Sequence, residues 1–208
     1  MTHRKISIVA IGGSTRPNSS SELAVRVAAQ AAEEAGASVT SITGRDLMLP
    51  IYDTETDERT EQASALVEAV RGAHGLLIAS PGYHGGISGM IKNALDYIED
   101  LSAEESPYLH GRAVGCIAVA YGWQATVSTL QQMRQVTHAL RGWPTPLGAT
   151  INAATTRFGP DGATTDAAAE TQLHTIGQQV VEFATMRSAQ HSVPTSADQS
   201  ASANPTTQ

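Results

Sequence analysis

Two short stretches of this chain gather residue types suited to holding a ligand. The first is Gly12-Gly13-Ser14-Thr15-Arg16-Pro17-Asn18-Ser19-Ser20-Ser21, which follows an apolar run and leads into an Ala-rich one. The glycines permit a tight turn without a Cβ clash. The hydroxyls and the free N–H groups of a following helix converge on a small volume that favours an anion. Arg16 adds a positive, planar donor fork. The spacing matches neither G-x-G-x-x-G nor G-x-x-x-x-G-K-[ST], which argues against a dinucleotide fingerprint and a triphosphatase. No lysine stands here to reach a β- or γ-phosphate, so a single terminal phosphate fits better. The plainer alternative is a polar turn with an ordinary helix cap; the position after the first strand, together with Arg16, favours the phosphate.

The second stretch is Ser80-Pro81-Gly82-Tyr83-His84-Gly85-Gly86-Ile87-Ser88-Gly89, with four glycines in one loop. That density suggests close approach of backbone to a flat ligand. Tyr83 also reads as a packing residue with its hydroxyl in solvent, and His84 as a loop histidine without a catalytic task. His3, His74, His110, His138, His174 and His191 are scattered without metal-ligand spacing, so no metal site is read. No nucleophile, base and orienter assemble from the sequence, and no catalytic side chain is assigned.

The elements that must carry these loops alternate from end to end. Apolar, β-branched runs predict strands at residues 5–11, 38–42, 74–79, 113–120 and 147–151. Helical spacing predicts helices at 21–35, 61–72, 87–101, 125–140 and 166–186. This alternation implies a five-stranded parallel sheet with right-handed crossovers and helices on both faces. The class is α/β, a flavodoxin-like three-layer sandwich of strand order 2-1-3-4-5. Residues 1–187 form one domain. Residues 188–208, rich in Ser, Thr, Ala, Pro and Gln, read as a disordered tail that buries too little apolar surface to offset its ordering entropy.

Composition narrows the function. At 208 residues the chain is long enough for a sizeable core, and its formal net charge of −7 argues against nucleic acid as a partner. The single cysteine, Cys116, excludes an intramolecular disulfide and lies in the apolar run AVGCIAVA, which reads as burial. The stretch 113–133 is uncharged but holds glycines and several Gln, Ser and Thr, so it reads as strand, loop and helix rather than a membrane span. With no signal-peptide pattern at the N-terminus, a cytoplasmic location is expected.

At this point the sequence resembles the NADPH-dependent FMN reductase family, which includes azobenzene, chromate and quinone reductases. The family's G-S-x-R-x-x-S loop is matched by Gly13, Ser14, Arg16 and Ser19, and its S-P-E-Y-H-G-x-x-S-G-x-L-K-N-A-L-D motif from Ser80 through Asp96. The resemblance implies that Ser14, Arg16, Ser19 and Ser21 hold the phosphate of FMN. It implies that Pro81, Gly82, Tyr83 and His84 face the ribityl chain and isoalloxazine, and that a third ligand loop follows the fourth strand at Ala120, Tyr121, Gly122 and Trp123. It further implies NAD(P)H as co-substrate, a small-molecule acceptor, and a homodimer or homotetramer formed through the helix at 87–101. Gly82 stands where the family usually has Glu, and Tyr121-Gly122-Trp123 where a Gly-rich stretch is common. These departures point to a reshaped acceptor pocket. They leave two alternatives beside the NAD(P)H-driven reductase: a dedicated FMN dehydrogenase of a small biosynthetic intermediate such as a chorismate-derived acid, and an electron carrier of the flavodoxin type.

Overall fold

The structure, a computed structural model, describes residues 5–159 and 161–191. Four longer strands form a parallel core in which β1 (Ser7–Gly12) lies between β2 (Ser38–Thr43) and β3 (Gly75–Tyr83). Beyond β3 comes β5 (Ala113–Ala120), whose eight residues are all buried. A strand apolar along its whole length belongs inside a sheet covered on both faces, and β5, paired on both sides, has such a place. The hairpin strand β4 (Gly86–Ile87) pairs with the end of β3 alone.

The expected fifth strand is present in two pieces on the far edge of β5. β6 (Trp143–Pro144) pairs with Ala113 and Val114, and β7 (Ala149–Asn152) pairs with the stretch Ile117 to Ala120. Pro144 and Pro146 lack the N–H that a continuous ladder needs. Arg134 fills the interruption, donating from its guanidinium to the carbonyls of Thr145 (3.1 Å) and Pro146 (3.0 Å). With that split, the order β2-β1-β3-β5-β6/β7 is the doubly wound, flavodoxin-like arrangement expected.

Helices α1 (Ser20–Glu34) and α5 (Ala167–His191) cover one face, and their core with the sheet is largely Ala, Val and Ile. The other face carries α2 (Glu61–Gly72), α3 (Gly89–Asp96) and α4 (Trp123–Ala139) over a core richer in Leu, Ile and Tyr. The helix expected over 87–101 is shorter, because residues 86–87 belong to β4 and Tyr97–Leu101 tighten into a 3₁₀ turn. The last helix runs through His191, so residues 188–191, read as the start of the tail, are helical; residues 192–208 lie outside the described residues. Cys116, in the middle of β5, is buried against Thr137 of α4, and burial pushes its thiol up to about 11.

Candidate functional site

The loop after β1 is organised by its own hydroxyls. Gly13 turns the chain at φ +109, and Ser14 Oγ accepts the Arg16 N–H at 3.3 Å. Ser19 caps α1, its Oγ accepting from Glu22 N (3.3 Å) and lying 3.3 Å from Ser21 Oγ. Ser19 and Ser21 are both buried, so their hydroxyls are held in one arrangement while Arg16 stays exposed. The amides of Ser20 and Ser21 precede the first available helical carbonyl and point out of the helix end, where they favour an anion.

The second stretch is a hairpin rather than a loop. β3 continues through Pro81 to Tyr83, turns at His84 and Gly85, and returns as β4, with Gly82 opposite Ile87 and Tyr83 opposite Gly86. Both turn residues have positive φ (+52 and +87), the geometry of a two-residue hairpin that follows strand twist. Pro81 is tolerated because β1 has already ended opposite Ala79, leaving one side of β3 without a strand partner there. Ser80 closes the base, its Oγ accepting the Ser88 N–H at 3.0 Å. Ser88 then caps α3 by accepting from Ile91 N.

Helix α4 lies against this hairpin at the two places where it has no side chain. A Cβ on residue 82 would sit 2.6 Å from Thr129 Oγ1 and 3.1 Å from Ala120 Cβ; one on residue 86 would sit 2.7 Å from Gln132 Oε1. The Gln132 carbonyl in turn accepts the Ile87 N–H at 2.6 Å. The glycine at position 82 therefore serves α4, which packs into the space a side chain would occupy.

The first loop, the hairpin and the end of β5 meet in a cleft of about 280 Å³ at the carboxyl edge of the sheet. Of the residues expected from the sequence, Ser14, Arg16, Ser19, Ser21, Pro81, Gly82, Tyr83 and Tyr121 line it together. His84 instead sits in the hairpin turn, Gly122 precedes α4, and Trp123 is its exposed first residue; these three do not line the cleft. Ala120, the first residue of the expected third loop, lines it too; the expectations missed Thr15, Ser20, Val119 and Ala153, which complete the wall. Thr15 and Ser20 were legible as neighbours of the named hydroxyls, and Val119 as the end of an apolar strand. Ala153 carried no signal, because only the pairing of β7 with β5 brings it there.

One part of the long motif serves elsewhere. Asn93 accepts the Tyr52 N–H at 2.9 Å and donates to the Pro50 carbonyl at 2.8 Å, tethering the segment after β2. Arg59 anchors the same segment with a forked pair of bonds to Asp100, each 2.8 Å, beneath the Tyr52 and Tyr97 rings. That guanidinium holds the Asp100 carboxyl below the usual carboxylate range.

The cleft suits FMN. Hydroxyls, amide donors and Arg16 at one end match a phosphate, and the apolar strand ends with two tyrosine rings match a flat ring at the other. Strand order and cleft together define a flavodoxin-like protein with a site for a phosphorylated ring compound. Across residues 6–156 the chain matches the model of NADPH-dependent FMN reductases, and it belongs to that family. It is 34% identical over 86 residues to the NADPH azoreductase of Bacillus sp. (strain OY1-2), covering 41% of this chain and 45% of that one. It is 31% identical over 136 residues to the probable NADPH:quinone oxidoreductase 2 of Oryza sativa subsp. japonica, covering 64% of each. Both matches span less than two thirds of the relative. Among solved structures, FerB, a flavoenzyme NAD(P)H:(acceptor) oxidoreductase from Paracoccus denitrificans, shares the fold. Its TM-score is 0.67, over 88% of this chain and 99% of that one, at 20% identity.

Proposed function

We propose that this chain is an FMN-dependent oxidoreductase that moves hydride equivalents from a reduced nicotinamide to a small-molecule acceptor of the free-flavin, quinone or azo type. The observation that carries the reading is the meeting of the Ser14–Ser21 loop, Arg16 included, with the ends of β3 and β5 in one cleft. When bound, FMN supplies the redox chemistry. Ser14, Arg16, Ser19 and Ser21 bind its phosphate, with the α1 amides adding donors that need no reorganisation. Pro81, Gly82 and Tyr83 present backbone and one ring to the flat part of the ligand, and Tyr121 faces them across the mouth of the cleft. His84, Gly122 and Trp123 support that arrangement from the hairpin turn and the start of α4. The chain's task is to bind and orient, and no side chain of the cleft is given a proton-transfer role.

The family match and two relatives named for NADPH-driven reduction support the reductase over a dedicated dehydrogenase of a chorismate-like acid. The same family match, and relatives named for reduction of small molecules, also favour an enzyme over an electron carrier. The partners are small molecules rather than nucleic acid, consistent with the net charge of −7. Among the described residues no helix is long and apolar enough to cross a membrane. A cytoplasmic setting, where reduced nicotinamides are supplied, and a homodimer or homotetramer are part of the proposal; the exposed Tyr83, Tyr121, Trp123 and Val127 support the second.

The test is to load the purified chain with FMN, add NADH or NADPH without air, and follow loss of the visible flavin band. Rapid bleaching is expected. Stoichiometric FMN binding without bleaching by either nucleotide would overturn the reductase and return the dedicated dehydrogenase to first place.

A further inference from the structure

Glu22 is favoured by the dipole of α1 but opposed by the phosphate assigned beside it. It is the acidic residue in the first turn of α1, beside the loop to which the proposed function assigns a phosphate. A carboxylate and a phosphate at one helix end repel each other. Yet the side chain is only 13% exposed and turns back toward the loop, where its Oε2 accepts the Asn18 N–H at 3.1 Å. Its Oε1 accepts from the Arg26 guanidinium at 3.0 Å, one helical turn on, which offsets the charge. With the charge balanced, the carboxylate's remaining contribution is as an acceptor.

The group it holds matters. Asn18 adopts φ +51, a left-handed conformation that non-glycine residues enter at a cost and Asn enters most readily. Asn18 also lies between Arg16 and Ser19, the cation and the capping hydroxyl that both line the cleft. In an ordinary capping box the acidic side chain bonds the N-cap amide; here it reaches one residue further back, to Asn18. The far side of the carboxylate is closed by the turn after β2, where a Cβ on Gly44 would lie 3.6 Å from Oε2. Nothing in this arrangement puts Glu22 on the cleft wall.

We propose that Glu22 is a positioning residue for the phosphate loop. Its carboxylate, neutralised by Arg26, fixes the Asn18 amide so that Arg16, Ser19 and Ser21 keep a single arrangement around the phosphate. The inference rests on the phosphate assignment made under the proposed function.

The experiment titrates the full-length chain and its variants with FMN and with riboflavin, which lacks only the phosphate, and compares the two affinities. E22Q and E22A both remove the charge, but only glutamine keeps an acceptor for the Asn18 amide. E22Q is expected to retain the wild-type preference for FMN within about twofold. E22A is expected to lose about threefold to tenfold of it, the effect of one lost hydrogen bond, with riboflavin affinity unchanged. Equal preferences in the two variants, or a parallel fall in riboflavin affinity, would overturn the proposal. R16A separates the layers. A preference that R16A abolishes and E22A leaves intact removes Glu22 and keeps the phosphate loop, whereas a wild type without any preference removes both. If E22A does not fold, amide exchange decides: the Asn18 N–H should be protected in wild type and E22Q, and fast exchange there in the wild type overturns the role.

Discussion

Around one end of the cleft, residues 14–22 make their contacts with one another: Ser14 with Arg16, Asn18 with Glu22, Ser19 with Ser21 and Glu22. Across the mouth, the β3–β4 hairpin is held by Gln132, 45 residues from the Ile87 amide it caps, and by Thr129, packed where Gly82 has no Cβ. The first wall is a local structure resting on a helix end. The second depends on where an entire helix sits. Changes to the first should therefore alter ligand affinity and spare the fold, and changes to the second should alter both.

The sharpest probe of that contrast is R16A, expected to weaken FMN binding by about 1.5–3 kcal/mol, as for a hydrogen bond to a charged group, while the unfolding midpoint stays put. Isothermal titration beside a urea melt reads both quantities, and a lowered midpoint would show that the loop also supports the sheet. Next comes G82A, which forces a methyl against Thr129 and Ala120 and should cost about 1–3 kcal/mol of stability by overpacking. Its FMN affinity should drop as well, and a variant as stable as the wild type would mean that α4 yields freely. Q132A removes the acceptor for the Ile87 N–H, and denaturant unfolding should register about 0.5–1.5 kcal/mol. The smallest effects separate the exposed aromatics at the mouth. Y121A should weaken flavin binding by about 1 kcal/mol through lost ring contact, and W123A by less than about 0.5 kcal/mol. Equal losses by fluorescence titration would place Trp123 on the ligand after all.

This division explains what the sequence disclosed. The Ser14–Ser21 loop was legible because its parts are adjacent: Ser19 caps the helix that starts beside it, and no distant element is needed to bring Arg16 near the hydroxyls. The strand order was legible for a related reason, since apolar runs alternating with helical ones admit few topologies. The hairpin was not. Ser80-Pro81 reads as the end of a strand, and only the early termination of β1 lets β3 continue through a proline. Gly82 and Gly86 read as ligand-facing glycines; Gly82 does line the cleft, but Thr129 and Gln132 explain from the opposite side why neither position carries a side chain. Asn93, matched within a long family motif, ties down the segment around Pro50 and Tyr52 and takes no place on the cleft wall. A motif thus marks a stretch of chain without separating residues that face the ligand from those that hold the scaffold.

Cys116 has a consequence of another kind. The chain's only thiol lies in an interior strand, 1% exposed, and burial pushes it up to about 11, so the reactive thiolate is scarce at neutral pH even if reagent reached it. An alkylating probe therefore finds the native molecule silent and reports only when α4 lifts off this face of the sheet. Labelling at one position becomes a clock for opening of the core beneath α4, with no tryptophan signal or bound flavin to confuse the reading.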